Sequence, residues 1–570
     1  MRTVAIAVSI PGTHAVLWSP DAVTAGPLPQ IAAEVRAQES AAAPVRWVVW
    51  GASDLEPLLD LGLKVARIWD CAEVHRLALG GWAAGPQEVW AAVHDLPIEG
   101  APGVPADDLF DFGESDDAPE PEALITPAGY LRADGVTGRW QAATLPDDMS
   151  RLTAWARAAY ESGQRQQERL AGQGPRVAAT AVSESAAALL CVELGRAGLP
   201  IDRGTMGELI TKSAGPEPDS LETELAGRRV RDDRVRTLVP GQERTDLRNP
   251  AQVRQLLLAA GIDVPNTRKW TLEVFRDAHP VVPALLGWRA DERIATTYGW
   301  RWLREHVGTD DRLRGRWTAC DGAAGRMTAE NGLHNLPAAL RPGVCAEEGF
   351  HFVRADLGQI EPRVLAAVSG DAAFVAATQA ADLYAPVAAR LGVERSVAKV
   401  AVLAAMYGQR SGAAGEALAG LRRAYPTAMQ LLEATAARGA RGESVRTFGG
   451  RVVHTAPPQE RGGVGPGEVA PPVAAARGRF ARNAIIQGAA AELFKAWVAT
   501  LRATTADLGA QIVLCLHDEV LIHVPSEHAP ECARRVEQGL DDAARRWLAD
   551  APPVRFVADI SIIKRWSEAT

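Results

Sequence analysis

Paired cysteines, long apolar runs and an excess of positive charge are all missing from this 570-residue sequence. Its six cysteines are scattered without a CxxC spacing, which argues against a zinc ribbon or a disulfide framework and favours a reducing cytoplasm. No stretch reaches the roughly 18 apolar residues of a membrane span, so we expect no membrane association. The opening MRTVAIAVSIPGTHAVLW, with one Arg and a short apolar run, predicts a first strand rather than a signal peptide.

The length and the charge of the chain set further limits. A chain of 570 residues is too long for one hydrophobic core, so we expect about two to four domains. The net charge of −9 is unfavourable for a nucleic-acid-binding protein, which presents a positive surface to phosphates. However, residues 101–122 hold eight acidic side chains and no Lys or Arg, and the rest of the chain is close to neutral. Net charge therefore neither supports nor excludes DNA binding.

The hydrophobic pattern divides the chain into parts. Residues 1 to about 95 alternate short apolar runs with helical pieces, which predicts an α/β domain. The acidic, proline-rich stretch from about 100 to 135 predicts a flexible loop or linker. Residues from about 150 to 310 have a helical pattern, whereas residues 345–570 mix strands and helices. The candidate catalytic and binding residues are concentrated in this last part.

Two aspartates stand where predicted strands end. GFHFVRADLGQIEP predicts a strand, Phe350 to Ala355, that leads into Asp356, and a helix that begins near Ile360. In QIVLCLHDEVLIHVP two apolar runs flank Asp518 and predict a strand, a tight turn and a second strand. Either Asp could instead be a simple cap or part of an exposed acidic turn. If a sheet brings them together, their charges need cations between them, and the pair predicts a two-Mg²⁺ site for phosphoryl transfer.

A third segment, ERSVAKVAVLAAMYGQ, predicts a helix with a functional side. Arg395, Lys399, Leu403 and Tyr407 follow one another at four-residue steps and therefore lie along one side of that helix. Such a side could receive a nucleoside triphosphate, because the cations would meet the phosphates while the apolar and aromatic residues would meet the base. Basic residues at this spacing are also common on solvated helix faces.

A fourth segment, GRFARNAIIQGAAAELFKAW, predicts a helix with Arg479, Asn483 and Gln487 at four-residue steps. A row of long donors could contact the minor groove of DNA, where acceptors occur at similar positions in all base pairs. An ordinary polar helix face would have the same pattern.

In their order along the chain, these segments resemble family A DNA polymerases, the bacterial DNA polymerase I group. DLGQIEPRVLAAVSGD resembles the first catalytic motif of that family, RSVAKVAVLAAMYG its fingers helix, RNAIIQGAAAELFK its palm helix and LHDEV its last catalytic motif. Upstream, AGRMTAENGLHNLP is similar to the segment that touches primer and template, and ELGRAGLPID and LRNPAQVRQLL are similar to the thumb. The resemblance spans about residues 180–565.

The resemblance implies an α/β N-terminal, ribonuclease-H-like exonuclease-type domain followed by an α+β right-hand polymerase with palm, fingers and thumb. The implied ranges are 1–175 for the exonuclease-like domain with its acidic loop at 100–135, 176–345 for the thumb and the start of the palm, 346–381 for the palm with the first catalytic motif, 382–475 for the fingers and 476–570 for the palm with the last catalytic motif.

The resemblance also implies a role for each matching residue. Asp356 and Asp518 would bind two Mg²⁺ ions, which Mn²⁺ can replace, with Glu519 in support and Lys399 as the third catalytic residue. Glu361 would close the space beside the sugar 2′ position and so select deoxynucleotides. The residues implied in nucleotide binding are Arg395, Lys399, Tyr407, Glu361, Gln359, Leu403 and Tyr384. Those implied in DNA binding are Arg326, Asn335, Arg479, Asn483, Gln487 and His517.

These roles predict a template-directed DNA polymerase for repair or gap filling. Its partners would be primer–template DNA and dNTPs, and it would act as a monomer in the bacterial cytoplasm, at the nucleoid. Two alternatives are a primer–template-binding protein with little turnover and a bifunctional 3′–5′ exonuclease and polymerase.

Four positions depart from the family pattern within the polymerase part. Leu403 stands where the family usually has an aromatic residue, and Tyr384 stands where it has a histidine near the triphosphate. Gly332 and His334 replace the Asn and Gln that are common in the primer–template segment. We therefore expect polymerase activity with altered selectivity or processivity.

The N-terminal part departs further. The first strand of a polymerase I proofreading domain carries Asp-x-Glu, whereas VAIAVSIPGTHAVLW contains no acid. Asp54 and Asp70 remain, but Trp50 stands at an expected Asn and Gln164, four residues after Tyr160, at an expected Asp. Without those carboxylates metal ions cannot be held, which predicts a degenerate, inactive exonuclease domain.

Overall fold

A computed structural model describes residues 1–10, 12–98, 124–132, 148–408, 414–457, 470–549 and 551–569. The acidic stretch 101–122 lies outside the described residues. Part of the predicted loop 100–135 is described, and residues 124–132 form a turn closed by a single β-bridge. Ile125 and Leu131 form an antiparallel β-bridge, and Leu124 and Leu131 are buried against the N-terminal core. Their apolar side chains hold this piece of backbone in place.

The N-terminal part is the predicted α/β unit. Its elements are β1 (Arg2–Val8), β2 (His14–Ser19), β3 (Ala22–Pro27), α1 (Leu28–Glu39), β4 (Val45–Val49), α2 (Glu56–Asp60), β5 (Ile68–Asp70), α3 (Cys71–Leu79), α4 (Pro86–Val93) and α5 (Asp148–Ala171). One sheet has the order β3-β2-β1-β4-β5, in which β1, β4 and β5 are parallel and β2 is antiparallel to both neighbours. Helices cover both faces, which is why β1 is almost continuously apolar.

Helix α6 (Pro175–Ala197) joins the two halves of the molecule. It packs against β5 and α3 on one side and against elements of the polymerase-like part on the other. Its length and composition would allow it to cross a membrane, but 61% of its most apolar window is buried in the protein. The helix is therefore explained as a core helix shared by two domains.

A helical region follows, as the sequence predicts for the thumb. Its elements are β6 (Leu199–Pro200), α7 (Arg203–Ala214), α8 (Leu221–Arg236), α9 (Pro250–Ala259), α10 (Lys269–Glu273), α11 (Val281–Thr297), α12 (Trp300–His306), β7 (Arg312–Leu313), β8 (Trp317–Asp321) and β9 (Arg326–Ala329). Helices α8 to α11 enclose a small apolar core of their own. Beside it Arg248 pairs with both Asp232 and Glu292, which leaves these partly buried carboxylates compensated.

The remaining elements mix strands and helices. They are β10 (Phe350–Leu357), α13 (Ile360–Ser369), α14 (Ala372–Ala377), α15 (Tyr384–Leu391), α16 (Arg395–Tyr407), α17 (Ala414–Ala424), α18 (Pro426–Ala440), β11 (Val445–Arg446), β12 (Val452–Val453), α19 (Pro471–Thr504), β13 (Gln511–Cys515), β14 (Glu519–Pro525), α20 (Ala529–Leu548) and β15 (Ala558–Ile563). An antiparallel sheet with the order β13-β14-β10-β15 carries the predicted catalytic segments, and α20 packs against β10 and β15. The division into palm, fingers and thumb stays a prediction.

Candidate active site

Asp356 and Asp518 lie side by side at one end of the four-stranded sheet. Asp356 is the penultimate residue of β10, and Asp518 lies in the turn between β13 and β14, as the strand–turn–strand prediction required. The Leu357 N–H donates to the Asp518 carbonyl oxygen at 2.7 Å, which ties the turn to the end of β10. Two segments 160 residues apart are thus brought together by β-pairing.

Burial and neighbouring carboxylates disfavour a charge on either carboxyl. Burial, followed by the Asp518 carboxylate, raises the pKa of Asp356 to about 6. Burial, followed by Glu519, also raises the pKa of Asp518. A divalent cation between the two carboxylates would relieve this repulsion, because an opposite charge nearby favours the ionised form.

The donor chemistry of the pair fits Mg²⁺. Among the described residues no group of three or more His, Cys, Asp or Glu side chains is arranged to hold a metal ion. Mg²⁺ is commonly bound through one or two protein carboxylates and completed by substrate phosphates and water, whereas structural zinc needs four protein ligands. Asp356 and Asp518 therefore fit a magnesium site that a phosphate-bearing substrate completes.

Arg354 is a third member of this group that the sequence analysis did not identify. Its buried guanidinium donates to Asp356 Oδ2 at 2.7 Å, to Glu519 Oε1 at 2.8 Å and to Asp559 Oδ2 at 2.9 Å. Glu519, expected beside the metal pair, also accepts a bond from Trp566 Nε1 at 2.9 Å. The available signal was a charged residue within a mostly apolar strand, two positions before Asp356 and hence on the same face.

Helix α16 presents its cations as predicted. Ala398, Ala401 and Ala405 are buried on one side, while Arg395 and Lys399 are exposed on the other. Lys399 makes no hydrogen bond or ion pair with any residue that the structure describes, so its ammonium group is available to a ligand.

Arg395 and Gln359 are occupied by a common partner, Asp382. Arg395 Nε donates to Asp382 Oδ2 at 2.5 Å, and Gln359 Nε2 donates to Asp382 Oδ1 at 2.7 Å. Gln359 adopts a left-handed conformation with φ of 57°, which is uncommon for a residue with a side chain. A triphosphate would have to compete with Asp382 for Arg395.

Tyr384 does not face solvent, contrary to what a direct triphosphate contact would require. It is only 4% exposed, and the Arg395 guanidinium carbon lies 5.8 Å from its ring centre. Burial raises its pKa to about 12, so it is a neutral residue. Its position beneath Arg395 is consistent with an indirect effect on that side chain, and direct binding stays an untested prediction.

Glu361 connects three elements of the predicted nucleotide pocket. Arg326 Nη2 of β9 donates to Glu361 Oε1 at 3.0 Å, and the Tyr407 hydroxyl at the end of α16 donates to Glu361 Oε2 at 3.0 Å. Both carboxylate oxygens are thus fixed, which gives the side chain one orientation. Leu403 is half-buried one helical turn before Tyr407, on the same side of α16.

The predicted DNA contacts form a row and a cluster. On α19, Arg479 is exposed and Asn483 and Gln487 are half-buried, whereas Ile485 and Ile486 are buried behind them. The row is therefore the accessible face of this helix.

The cluster is centred on two histidines beside the turn that carries Asp518. His517 Nε2 lies 3.0 Å from His334 Nε2, and the rings are T-shaped with centres 4.4 Å apart. Exposed Asn335 follows, and its carbonyl oxygen accepts from the Tyr298 hydroxyl at 2.8 Å. His334, a departure from the family pattern, thus touches a residue expected to contact DNA, which the sequence could not reveal.

The N-terminal acids have structural roles. Asp70 accepts the N–H groups of Ala52 at 2.7 Å and Glu73 at 2.8 Å, so both its oxygens are used. Burial raises the pKa of Asp70 to about 7 and that of Asp54, which accepts the Gly51 N–H at 3.3 Å, to about 6. Both Asp70 oxygens and one Asp54 oxygen are thus engaged with backbone N–H groups.

Aromatic side chains occupy the remainder of that region. Trp50 packs on Trp155 with ring centres 5.3 Å apart, and both belong to the core that also contains Ala5 and Ala7 of β1. Gln164 Nε2 donates to the Tyr160 hydroxyl at 2.8 Å. Trp50 and Gln164, which depart from the family pattern, are thus engaged in packing and in an internal hydrogen bond.

Comparisons with known proteins agree with this geometry. The family model described as DNA polymerase family A matches residues 233–568, more than half of the chain. Thermostable DNA polymerase I of Thermus filiformis is 27% identical over 332 residues, which cover 53% of this chain and 38% of that protein. DNA polymerase I of Deinococcus radiodurans is 26% identical over 387 residues, or 60% of this chain and 39% of that protein. The chain thus spans about two fifths of the length of these relatives.

A solved structure shares the fold. It is described as the POL domain of Pol1 from M. smegmatis in complex with DNA primer-template and dNTP, and it has a TM-score of 0.66 at 18% identity. The alignment covers 99% of this chain and 95% of that one. The fold, the four ordered motifs and the family match agree, and this chain belongs to DNA polymerase family A.

Proposed function

We propose that this chain is a DNA-directed DNA polymerase that adds deoxynucleotides to the 3′ end of a primer, in repair or gap filling. The observation that carries the proposal is the pair Asp356 and Asp518, two half-buried carboxylates with raised pKa values beside each other. Lys399 supports it, because an exposed ammonium group with no partner among the described residues suits a triphosphate.

Asp356 and Asp518 would hold the two divalent cations, Mg²⁺ or Mn²⁺. When bound, such cations lower the pKa of the attacking 3′ hydroxyl and neutralise charge on the triphosphate. Lys399 would bind the triphosphate oxygens and stabilise charge that leaves with pyrophosphate. Arg395 would add a second cation after it leaves Asp382.

Glu361 would exclude ribonucleotides. Its carboxylate is held by Arg326 and Tyr407, so it cannot easily turn away from a 2′ hydroxyl. A fixed side chain discriminates better than a mobile one, since the wrong substrate must pay for its displacement. The row Arg479, Asn483 and Gln487 and the residues Asn335 and His517 would position the duplex without reading its sequence.

Primer extension tests the proposal. Purified protein with Mg²⁺, dNTPs and a labelled primer on matched and gapped templates is expected to extend the primer, and Asp356→Asn is expected to abolish extension. Asp277→Asn is the matched control, because Asp277 is exposed in the thumb region. Extension that survives Asp356→Asn would refute the assignment, and duplex binding without extension by the wild type would favour the binding-protein alternative.

We also propose that the N-terminal unit is a ribonuclease-H-like exonuclease-type domain without nuclease activity. The strand order and the single antiparallel strand β2 support the fold, and the absence of acids on β1 with both Asp70 oxygens bound to N–H groups supports the inactivity. The expected result is no Mg²⁺- or Mn²⁺-dependent release of nucleotides from a 3′-labelled end. Release that Asp70→Asn abolishes would instead establish the bifunctional alternative.

We propose the bacterial cytoplasm as the setting of the protein. All six cysteines lie within the described residues and are free thiols, which suits the reducing bacterial cytoplasm, at the nucleoid. Primer–template DNA and dNTPs are the partners that the proposed reaction requires, and a monomer suffices for it. Gel filtration with light scattering would test the monomer directly.

A further inference from the structure

The positively charged side chain of Arg354 lies inside the cluster of carboxylates at the candidate metal site. Asp356, Asp518, Glu519 and Asp559 converge here, and Arg354 donates to three of them from the middle of the sheet. The three partners belong to β10, β14 and β15, whose register places Asp356 opposite both Glu519 and Asp559. One guanidinium therefore reaches all three strands at the site.

We propose that Arg354 is a positioning residue that keeps the metal site dependent on the nucleotide, an inference that rests on the proposed polymerase function. Its Nη2 occupies Asp356 Oδ2 and fixes the orientation of that carboxylate. Its Nε and Nη1 hold Glu519 and Asp559, so these acids are not free to complete a cation site built from protein alone. The metal ions would then obtain their remaining ligands from the triphosphate and from water.

Burial makes the effect of Arg354 strong. The residue is 7% exposed, so its charge is poorly screened by solvent. A positive charge a few ångströms from a divalent cation opposes its binding, and at an effective dielectric constant of about 20 this corresponds to tenfold or more in affinity. The triphosphate can offset this repulsion with its own negative charge, which Asp356 and Asp518 alone cannot.

Mn²⁺ binding to the nucleotide-free protein, followed by electron paramagnetic resonance, tests this role without any turnover. Arg354→Gln removes the charge and retains a hydrogen-bonding side chain, and it is expected to tighten Mn²⁺ binding by at least about tenfold. Arg354→Lys retains the charge and loses the three-way contact, so its Mn²⁺ affinity should stay within about threefold of the wild type. Arg301→Gln is the control for loss of a surface cation, because that side chain is 84% exposed, and it should change nothing.

Steady-state primer extension supplies a second readout. Both Arg354 variants are expected to lose kcat, because Asp356 is no longer oriented, while KM for dNTP changes little. Wild-type Mn²⁺ affinity for Arg354→Gln, or an equal gain for Arg354→Lys, would overturn the proposal. If Arg354→Gln does not fold, Arg354→Lys still tests the proposal. A tenfold gain in Mn²⁺ affinity or an unchanged kcat for Arg354→Lys would contradict the positioning role. A wild-type protein that never extends primers would refute the polymerase function but leave the Mn²⁺ comparison interpretable.

Discussion

The buried contact between α6 and α19 allows a quantitative prediction for Lys495→Met. Lys495 Nζ lies 2.6 Å from Glu184 Oε2 and Arg451 Nη2 lies 2.7 Å from the same oxygen, with Lys495 and Glu184 fully buried. Burial alone would raise the pKa of Glu184, but Arg451 and Lys495 outweigh it and lower the pKa below its usual value. The ionised carboxylate is therefore stabilised by two cations at once.

Removing one partner of a buried ion pair costs about 3–5 kcal/mol, because the remaining charge is left uncompensated. Since Arg451 stays with Glu184, we expect Lys495→Met to lower the free energy of unfolding by about 3 kcal/mol, the low end of that range. Urea denaturation followed by tryptophan fluorescence measures it. Arg301→Ala, which breaks an exposed pair with Glu305, should leave the urea midpoint of unfolding unchanged.

The pH dependence supplies an independent check. Because the folded pKa of Glu184 lies below its value in the unfolded chain, the carboxylate contributes stability above about pH 4.5, and this contribution is lost as the pH falls. Loss of Lys495 raises the folded pKa, so the difference between variant and wild type should be largest near neutral pH and shrink below about pH 4.5. A variant within about 1 kcal/mol of the wild type at pH 7 would refute the reasoning.

Three further predictions concern the candidate site. Gly332→Ala should lower the free energy of unfolding by about 1–3 kcal/mol, because φ is +83° and the new methyl group would overlap the Tyr298 ring. Normal thermal stability and DNA affinity of this variant would contradict the prediction. Mn²⁺ binding to the nucleotide-free protein should weaken by up to about tenfold per pH unit below pH 6, where Asp356 takes up a proton, and a titration that is flat from pH 5 to 8 would contradict the raised pKa. Glu361→Ala should raise ribonucleotide incorporation on the order of tenfold, and Tyr407→Phe should raise it less because it loses only the 3.0 Å hydrogen bond to Glu361. Single-nucleotide insertion with rATP and dATP measures both effects. An unchanged ratio of rATP to dATP insertion would exclude a role of Glu361 in sugar selection.

The ends of β10 and β13, where Asp356 and Asp518 lie, could be predicted from the sequence because the signal there is local. Asp356 follows an apolar strand and precedes a helix, and Asp518 interrupts two apolar runs, so periodicity alone placed both near strand ends. The exposed side of α16 with Lys399 followed from helical spacing in the same way. Their binding roles stay predictions.

The network around Arg354 could not be predicted, because it depends on register between distant strands. Asp559 meets Arg354 only because β15, some 200 residues later, pairs with β10 in one alignment. A shift of one residue would turn Asp559 to the other face of the sheet. The burial of Tyr384 was hidden for a similar reason, since it is decided by the packing of α15 against other helices rather than by its own sequence.

Helix α6 determines what a deletion of the N-terminal unit would do to the rest of the chain. One of its sides completes the core of the N-terminal unit and the other supports α19 and the edge strand β13. A deletion that ended just before α6 would leave buried Ala181, Leu189 and Leu190 without part of their cover and expose an apolar surface prone to association. Deletion of the N-terminal unit would therefore remove a structural support from the part of the chain that carries Asp356 and Asp518.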